Sequence, residues 1–574
     1  MTDFRIEHFP FSASTPIELS LSETLLSNWP VVYTLSNERE IYIGETGNAS
    51  SRISQHLGNP SKQKLTRVQI FLNYKFNKSA SLDLESQLIR LFAADEKFKV
   101  LNSNLGISDA DYFERSSYAK SFDILFEQLK DAGWFTKSVP DLINSNLFKY
   151  SPFKSLTQEQ AQAVEGIFET ILENRKQGDS AKVVIEGQPG TGKTIVAIYL
   201  IKLLRDLNTI NTSDDIPEDS VFAELLTQEN RQVLADFRVG IVIPQQALRQ
   251  TLTKVFSKTP GLEKSMILSP FQVGQSQEKW DLLVVDETHR LGMRAQQPHP
   301  TLNTKFAKIN KVLFGKDDLS YTQLDWVNYQ SRNQVLLVDP EQSIKPADLP
   351  RNVIDQLITS AKQEKSYFKL MSQLRVEGGE DYIEFVRSLF TKNPLKSSGF
   401  GSYELHFFDS FAEMRDEIVL RERKFGLCRL LAGFAWPWVS KKHKDTPDIK
   451  IGDVELFWNR TERDWISSLK SVEEAGVEVG SIHTIQGYDL NFAGVIIGED
   501  LYFDKSTQEV KFNRIKYFDA NGKVNNLRLG ITYSDDDVLK WVINIYCVLL
   551  TRGIKGTFVY VVDPDLREHL SKYF

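Results

Sequence analysis

Residues 187–194 read Gly187-Gln188-Pro189-Gly190-Thr191-Gly192-Lys193-Thr194, directly after the apolar run Val183-Val184-Ile185. Glycines at Gly187, Gly190 and Gly192 let backbone N–H groups close around phosphate oxygens at a helix N-terminus, where the helix dipole also favours anions. In such a loop Lys193 reaches the β- and γ-phosphate oxygens and Thr194 holds Mg²⁺. The implied ligand is a nucleoside triphosphate, expected as ATP with Mg²⁺. A second apolar run, Trp280 to Val285, ends in Asp286-Glu287-Thr288-His289. This is the spacing of a neighbouring parallel strand whose tip faces the phosphate loop. Asp286 is expected to hold the metal through water, and Glu287 to orient and activate the attacking water. A third run, Gln334 to Val338, leads into Asp339-Pro340-Glu341-Gln342, where the Gln342 amide is placed to sense a γ-phosphate.

Strands alternating with helical stretches around these motifs predict an α/β fold with parallel sheets. From about residue 150 to 574 the motifs also stand in a recognisable order. Leu156-Thr157-Gln158-Glu159-Gln160 is similar to the adenine-reading glutamine motif of superfamily 1 helicases, with Gln160 as the reader. The phosphate loop follows as motif I, residues 242–252 as motif Ia, and the Asp286 and Asp339 strands as motifs II and III. Gln373-Leu374-Arg375 resembles motif IV, residues 481–489, with Gln486 and Gly487, resemble motif V, and residues 548–556 resemble motif VI. Together with residues 431–438, these versions resemble the Schlafen group 3 DNA/RNA helicase domain. One departure is Val338, where motif III usually has glycine before the aspartate. The resemblance implies two RecA-like lobes with the nucleotide between them. Arg375 and Arg552 would then arrive from the far lobe as arginine fingers on the γ-phosphate, a role worth about 10³–10⁵ in rate in other triphosphatases.

The N-terminal part carries a separate signal. Residues 31–35 and 41–44 are short β-branched and aromatic runs around the polar turn Asn37-Glu38-Arg39-Glu40, which reads as a hairpin. A helical stretch follows with Arg52 and His56 at i and i+4, on one face. Over residues 28–118 this resembles the GIY-YIG nuclease domain, with Tyr33 in the first motif and Tyr42 and Gly44 in the second. Val31-Val32 stand where the family name has Gly-Ile. The resemblance implies that Tyr33 and Tyr42 orient or activate a hydrolytic water, that Arg52 stabilises the pentacovalent phosphate, and that Glu85 is the single metal-binding carboxylate. One hard Mg²⁺ needs only one carboxylate plus waters. The late asparagine of the family is Asn102 or Asn104.

The chain has 69 Lys+Arg against 76 Asp+Glu, a net charge of −7, which excludes a general polyanion-coating protein. From Thr46 to Leu82, however, no acidic residue occurs and six basic ones do: Arg52, Lys62, Lys64, Arg67, Lys75 and Lys78. This reads as a phosphate-tracking surface. Asp206 to Asn230 holds seven acidic residues and no Lys or Arg, so it is expected to stay away from nucleic acid. Residues 290–330, with Trp326, and Lys441-Lys442-His443-Lys444 after Trp436 and Trp438 are candidates for strand contact. For these tryptophans, packing against the second lobe's sheet is the expected reading, ahead of strand contact.

At 574 residues several domains are expected. They are a GIY-YIG-like endonuclease over 1–137, a connector over 138–155, a first RecA-like lobe over 156–347 and a second over 348–574. No membrane-spanning stretch and no export signal is read, and Cys428 and Cys547 lie in apolar runs without ligand spacing. A cytoplasmic location follows as the expectation. The expected function is an ATP-dependent helicase or translocase carrying a Mg²⁺-dependent endonuclease and acting on nucleic acid, DNA rather than RNA. Antiphage defence is the expected setting, with repair or a nucleotide-switched sensor as alternatives.

Overall fold

A computed structural model describes residues 4–21, 26, 28–102, 112–207, 222–225, 227–294, 300–342, 346–460, 476–485, 489–527 and 529–574. The chain falls into two compact units. One comprises Met1–Asp179, Ile195–Phe237 and Thr251–Met266, the other Ser180–Thr194, Arg238–Gln250 and Ile267–Phe574.

The first unit is built on a five-stranded sheet of β1 (Arg5–Pro10), β2 (Val31–Ser36), β3 (Glu40–Thr46), β4 (Arg67–Leu72) and β5 (Lys99–Val100), in the order β1-β4-β2-β3-β5. The expected hairpin is present: β2 and β3 are antiparallel, with Tyr33 opposite Gly44. Its turn is closed by Asn37, whose Oδ1 accepts the N–H groups of Arg39 (2.8 Å) and Glu40 (2.7 Å). An asparagine that bonds the backbone two and three residues on is a turn former for this reason. Both faces of β2 are buried, so alternate side chains enter different cores. Val32 packs with Phe71, Leu84, Leu88 and Leu91, largely from the Lys78–Asp95 helix. Val31, Tyr33 and Leu35 pack with Ala49 and Ile53 of the Ala49–Leu57 helix. Each helix starts on an asparagine cap: Asn77 Oδ1 accepts Ala80 N–H (2.8 Å), and Asn48 Oδ1 accepts Ser51 N–H (3.0 Å).

Asn102 is buried and pairs with one residue of β3, accepting Ile43 N–H (3.1 Å) and donating to Ile43 O (2.7 Å). It thereby continues the ladder beyond the two-residue strand β5. Asn104 lies outside the described residues, as does most of the acidic stretch from Asp206 to Asn230.

The second unit holds two further sheets. Strands β6 (Lys182–Gly187), β7 (Val239–Val242), β8 (Ile267–Leu268), β9 (Trp280–Val285), β10 (Ser331–Val338) and β11 (Tyr367–Leu370) form a parallel sheet in the order β11-β6-β10-β9-β7-β8. The runs read as strands are therefore its centre: Val335 sits opposite both Val183 and Val284. Continuous apolar sequence suits strands covered on both faces. The boundary expected at 347 moves, because β11 pairs with β6 rather than opening the next sheet. The strand is only four residues long and includes Lys369, too little to declare its sheet by pattern.

The other sheet comprises β12 (Glu404–Phe407), β13 (Cys428–Ala432), β14 (Ile449–Ile451), β15 (Val454–Trp458), β16 (Glu478–Gly480), β17 (Leu490–Ile497) and β20 (Gly553–Val561), ordered β12-β20-β17-β13-β16-β15-β14. All its pairs are parallel except β14 with β15. A separate hairpin of β18 (Leu501–Asp504) and β19 (Glu509–Phe512) follows β17. Two RecA-like α/β sheets thus occupy the second unit. Trp436 and Trp438 are partly buried against this sheet's core. Trp326 instead packs beside Phe306, ring centroids 4.2 Å apart, and donates from Nε1 to Asn310 Oδ1 at 2.8 Å. Both cysteines are unbridged. Among the described residues no helix is long and apolar enough to cross a membrane.

Replacing Asn102 by leucine leaves the Ile43 amide and carbonyl buried without their partner, a loss of about 1–3 kcal/mol. The expected outcome is a lower denaturation midpoint and faster hydrogen exchange at Ile43. Unchanged exchange there removes Asn102 from the ladder.

Candidate functional site

The phosphate loop leaves β6 at Gly187 and turns through Gly190 (φ +89°) and Gly192 (φ +80°), left-handed conformations that favour glycine. A Cβ at Gly187 would lie 2.5 Å from Thr191 Oγ1, and one at Gly190 would strike Gln373 Oε1. The loop thus leaves no room for a side chain at Gly187 or Gly190. Lys193, 6 % exposed, folds into it and donates to Gly187 O (2.5 Å) and Gln188 O (3.0 Å). These are backbone acceptors that phosphate oxygens would replace. Thr194 Oγ1 donates to Asp286 Oδ2 at 2.8 Å, joining the loop to the tip of β9.

Asp286 is fully buried, and burial followed by the like charge of Glu287 raises its carboxyl above the usual range. Burial pushes Glu287 upward too, but His289, Lys193 and Arg290 more than offset it and hold that carboxyl low. Glu287 itself has left-handed backbone (φ +49°), which aims its Oε2 at His289 Nε2, 2.8 Å away. The other ring nitrogen of His289, Nδ1, accepts Asp339 N–H at 3.3 Å. His289 therefore ties the carboxylate of β9 to the end of β10. Sequence reading gave it no role, although it stands two residues after Glu287. Gln342 donates to Asp339 Oδ2 at 2.7 Å, which holds its amide at the same end of β10.

Gln373-Leu374-Arg375 lies directly on the loop. Gln373 Nε2 donates to Pro189 O (2.7 Å), Leu374 N–H to Gly190 O (3.0 Å), and Arg375 N–H to Gln373 Oε1 (2.9 Å). The Arg375 guanidinium pairs with Asp489, Nε to Oδ1 2.5 Å. Arg552 is 4 % exposed, in the turn between the Asp535–Leu550 helix and β20, and its carbonyl accepts Leu490 N–H at 3.0 Å. Gln160 lies in the other unit, where its Oε1 accepts Thr157 N–H at 3.1 Å and its N–H donates to Thr157 Oγ1 at 3.3 Å. This reciprocal cap starts the Gln158–Gln177 helix. Gln486 and Gly487 lie outside the described residues.

In the second unit a cavity of about 470 Å³ is lined by Arg249, Arg290, Lys305, Gln323, His483 and Asn526, among others. Its lining brings together residues that follow β7 and β9 with a residue of motif V.

The N-terminal sheet gathers a second cluster. Tyr33 is fully buried, and its Oη lies 2.6 Å from His56 Nε2. The rings of Tyr33 and Tyr42 are 6.3 Å apart, and Tyr42 packs edge-on to His56 at 5.1 Å. Burial works to lower the Arg52 pKa, but the neighbouring phenols of Tyr33 and Tyr42 outweigh it and raise it; Arg52 Nη1 itself donates to Gln55 Oε1 at 2.9 Å. Burial, then Tyr42, raises the Tyr33 hydroxyl well above its ordinary value; Arg52 opposes this and Glu85 adds to it. Tyr33, Tyr42, Arg52 and Glu85 are thus within one electrostatic neighbourhood. Gly44 is required there, because a Cβ would overlap the Tyr33 hydroxyl. Two members of the expected basic surface are engaged otherwise. Lys62 is 4 % exposed, and Lys78 pairs with Glu45 at 2.6 Å.

Both clusters offer oxygen donors suited to a hard cation: Thr194 and Asp286 in one, Glu85 in the other. Among the described residues no group of three or more His, Cys, Asp or Glu is placed to hold a metal.

Residues 180–563 match the Schlafen group 3, DNA/RNA helicase domain. The chain belongs to that family. The matched span opens just before β6 and closes just after β20, so it contains both RecA-like sheets of the Schlafen group 3 domain and leaves out the N-terminal sheet. An uncharacterized protein of Saccharomyces cerevisiae is 25% identical over 437 residues, 73% of this chain and 91% of the yeast protein. Two solved structures of a Bacteroides Pif1 helicase are similar at lower levels. One, with ADP-AlF3 and ssDNA, is 10% identical, covers 70% of this chain and 93% of that one, and has a TM-score of 0.23. The other, bound to ssDNA, is 9% identical, covers 71% and 93%, and has a TM-score of 0.24. Likenesses of that size carry no inference about this chain.

Gly44→Ala is expected to push the Tyr33 ring out of its slot and to cost about 1–3 kcal/mol through overpacking. Thermal or denaturant unfolding of the full chain checks this, and an unaltered midpoint contradicts the close approach.

Proposed function

We propose that this Schlafen group 3 protein hydrolyses ATP to move along or open nucleic acid, DNA in preference to RNA, and that its N-terminal sheet cleaves phosphodiesters. The observation that carries the first part is the joined cluster of Lys193, Thr194, Asp286 and Glu287, with Arg375 seated on the same loop. Mg²⁺, when bound, neutralises phosphate charge beside Thr194 and Asp286. Lys193 exchanges its backbone acceptors for β- and γ-phosphate oxygens. Glu287, kept ionised by His289, is the acceptor that orients water for attack, and Gln342 stands at the neighbouring strand end as sensor. Arg375 and Arg552 supply positive charge that matters most when charge develops on the transferring phosphoryl group. Arg249 and Lys305 bring positive charge to the lining of the cavity of about 470 Å³, where Arg290 is paired with Asp348 at 3.2 Å, and they are the cations there that would meet a phosphate backbone.

For the N-terminal site, Arg52 would face the scissile phosphate, Glu85 would hold one Mg²⁺, and Tyr33 with Tyr42 would orient the water. Support comes from their shared electrostatic neighbourhood and from the Tyr33 and Tyr42 rings standing 6.3 Å apart. A motor joined to a nuclease suits defence against foreign DNA, the setting we favour over repair. A sensor that hydrolyses ATP without opening a duplex is separated from this reading by a strand-displacement assay.

The motor is tested by three variants. Lys193→Ala is expected to abolish ATP turnover. Glu287→Gln should keep nucleotide binding while blocking hydrolysis. Arg552→Ala should slow hydrolysis by about 10³-fold or more at nearly constant ATP affinity. Turnover at the parental rate in Lys193→Ala sinks the assignment, and parental turnover in Arg552→Ala refutes the shared site.

The nuclease is tested apart from the motor. Arg52→Ala and Glu85→Ala should eliminate Mg²⁺-dependent cleavage and leave nucleic-acid-stimulated ATPase intact. Tyr33→Phe, which keeps the ring and deletes the hydroxyl, should also impair cleavage. Wild-type cleavage by both Tyr33→Phe and Glu85→Ala would make this sheet a docking module instead.

A further inference from the structure

A lysine is rarely buried without a partner that needs its charge. Lys62 is 4 % exposed, and its backbone is held rigidly at the end of a short turn. Asn59 Oδ1 accepts Ser61 N–H (3.0 Å), Asn59 O accepts Lys62 N–H (3.0 Å), and Lys62 O accepts Leu65 N–H (3.0 Å). From there Nζ reaches inward to 2.9 Å from His56 Nδ1 and 3.8 Å from the Tyr42 ring centroid. His56 is 2 % exposed, and its other nitrogen, Nε2, is the one 2.6 Å from Tyr33 Oη. The chain Lys62–His56–Tyr33 is thus sealed from solvent.

The direction of its hydrogen bonds follows from donor capacity. An ammonium group has three donors and no acceptor. His56 Nδ1 facing it must accept, so the single ring proton of a neutral imidazole sits on Nε2 and is donated to the Tyr33 oxygen. We propose that Lys62 is a positioning residue that locks His56 in its Nε2–H tautomer and so makes His56 a hydrogen-bond donor to Tyr33 rather than the base that takes the Tyr33 proton. This rests on the reading of the N-terminal sheet as a phosphodiester-cleaving site.

Two consequences follow for that site. With His56 Nε2–H donating to the phenol oxygen, the Tyr33 hydroxyl proton points away from the imidazole, while the nearby Arg52 guanidinium opposes the rise in the Tyr33 pKa. His56 remains neutral at ordinary pH: burial first, then the charges of Lys62 and Arg52, lower its pKa to about 2. Within this cluster the lysine therefore acts through the imidazole. It is too deeply buried to track phosphates with Lys64, Arg67 and Lys75, which are exposed.

The test uses the full chain labelled with ring-¹⁵N histidine, eight residues in all, and long-range ¹H–¹⁵N correlation. The expected result is His56 with Nδ1 unprotonated and Nε2 protonated, a pattern lost in Lys62→Met and restored in Lys62→Arg. The remaining histidine signals report whether each variant stays folded. A wild-type His56 protonated at Nδ1, or a pattern indifferent to Lys62→Met in a folded protein, overturns the proposal. On a substrate that the wild type cleaves, Lys62→Met should lower kcat roughly 10–100-fold, the usual size for loss of an orienting partner, with KM and salt dependence nearly unchanged. A raised KM at constant kcat would return Lys62 to phosphate contact and also overturn it. Absence of cleavage by the wild type on every DNA and RNA tried would remove the nuclease reading, whereas the tautomer pattern alone decides the lock.

Discussion

Parallel pairing of β6 with β10, and of β10 with β9, is the constraint on which the glycine-loop site depends. In a parallel sheet the C-terminal strand ends gather along one edge, where ligands of open α/β sheets bind. That register places the glycine loop after β6 beside the carboxylates after β9 and the Asp339 turn after β10. The hydrogen bond from Thr194 to Asp286 closes the gap between the first two. The apolar side chains of these strands supply the burial that holds the ladder, and the polar groups at their ends inherit its geometry.

The surroundings at this edge shift two adjacent carboxyls in opposite directions. Asp286 has no exposure and a like-charged neighbour, so burial and then Glu287 raise its carboxyl above the usual range. Glu287 escapes the same fate because His289 stands against it and is itself anchored on Asp339 N–H. A left-handed backbone at Glu287, strained for a residue with a side chain, is what turns the carboxylate toward that ring. The loop side of the site is equally determined. Gln373 holds Pro189 and Arg375 together, and only a glycine at 190 leaves it room.

The N-terminal sheet applies the same economy with different chemistry. Its strand β2 is buried on both faces, and a missing Cβ at Gly44 opens the slot that Tyr33 fills. His56 meets the Tyr33 oxygen, while an enclosed lysine governs what the imidazole can offer. Buried polar groups in such a network are mutually specified, since each unsatisfied member would cost free energy.

Much of this was legible in the residues alone. The glycine spacing from 187 to 192, the Asp286-Glu287 pair and the β2–β3 hairpin are local patterns whose chemistry follows from nearest neighbours in the chain, and each falls where its pattern predicted. Membership of β11 was not legible, because a four-residue strand interrupted by Lys369 does not say which sheet edge it extends. Nor were the parts played by His289, Gln373 and Lys62, whose partners include groups on other elements. Lys62 is the clearest case. In the sequence it is one of six cations in a stretch without acids, and only packing against His56 and Tyr42 withdraws it from the surface. Periodicity and motif spacing encode which backbone will form and which groups it carries. Which of those groups meet, and which nitrogen of a ring holds its proton, is decided by burial and long-range contact that spacing along a chain does not contain.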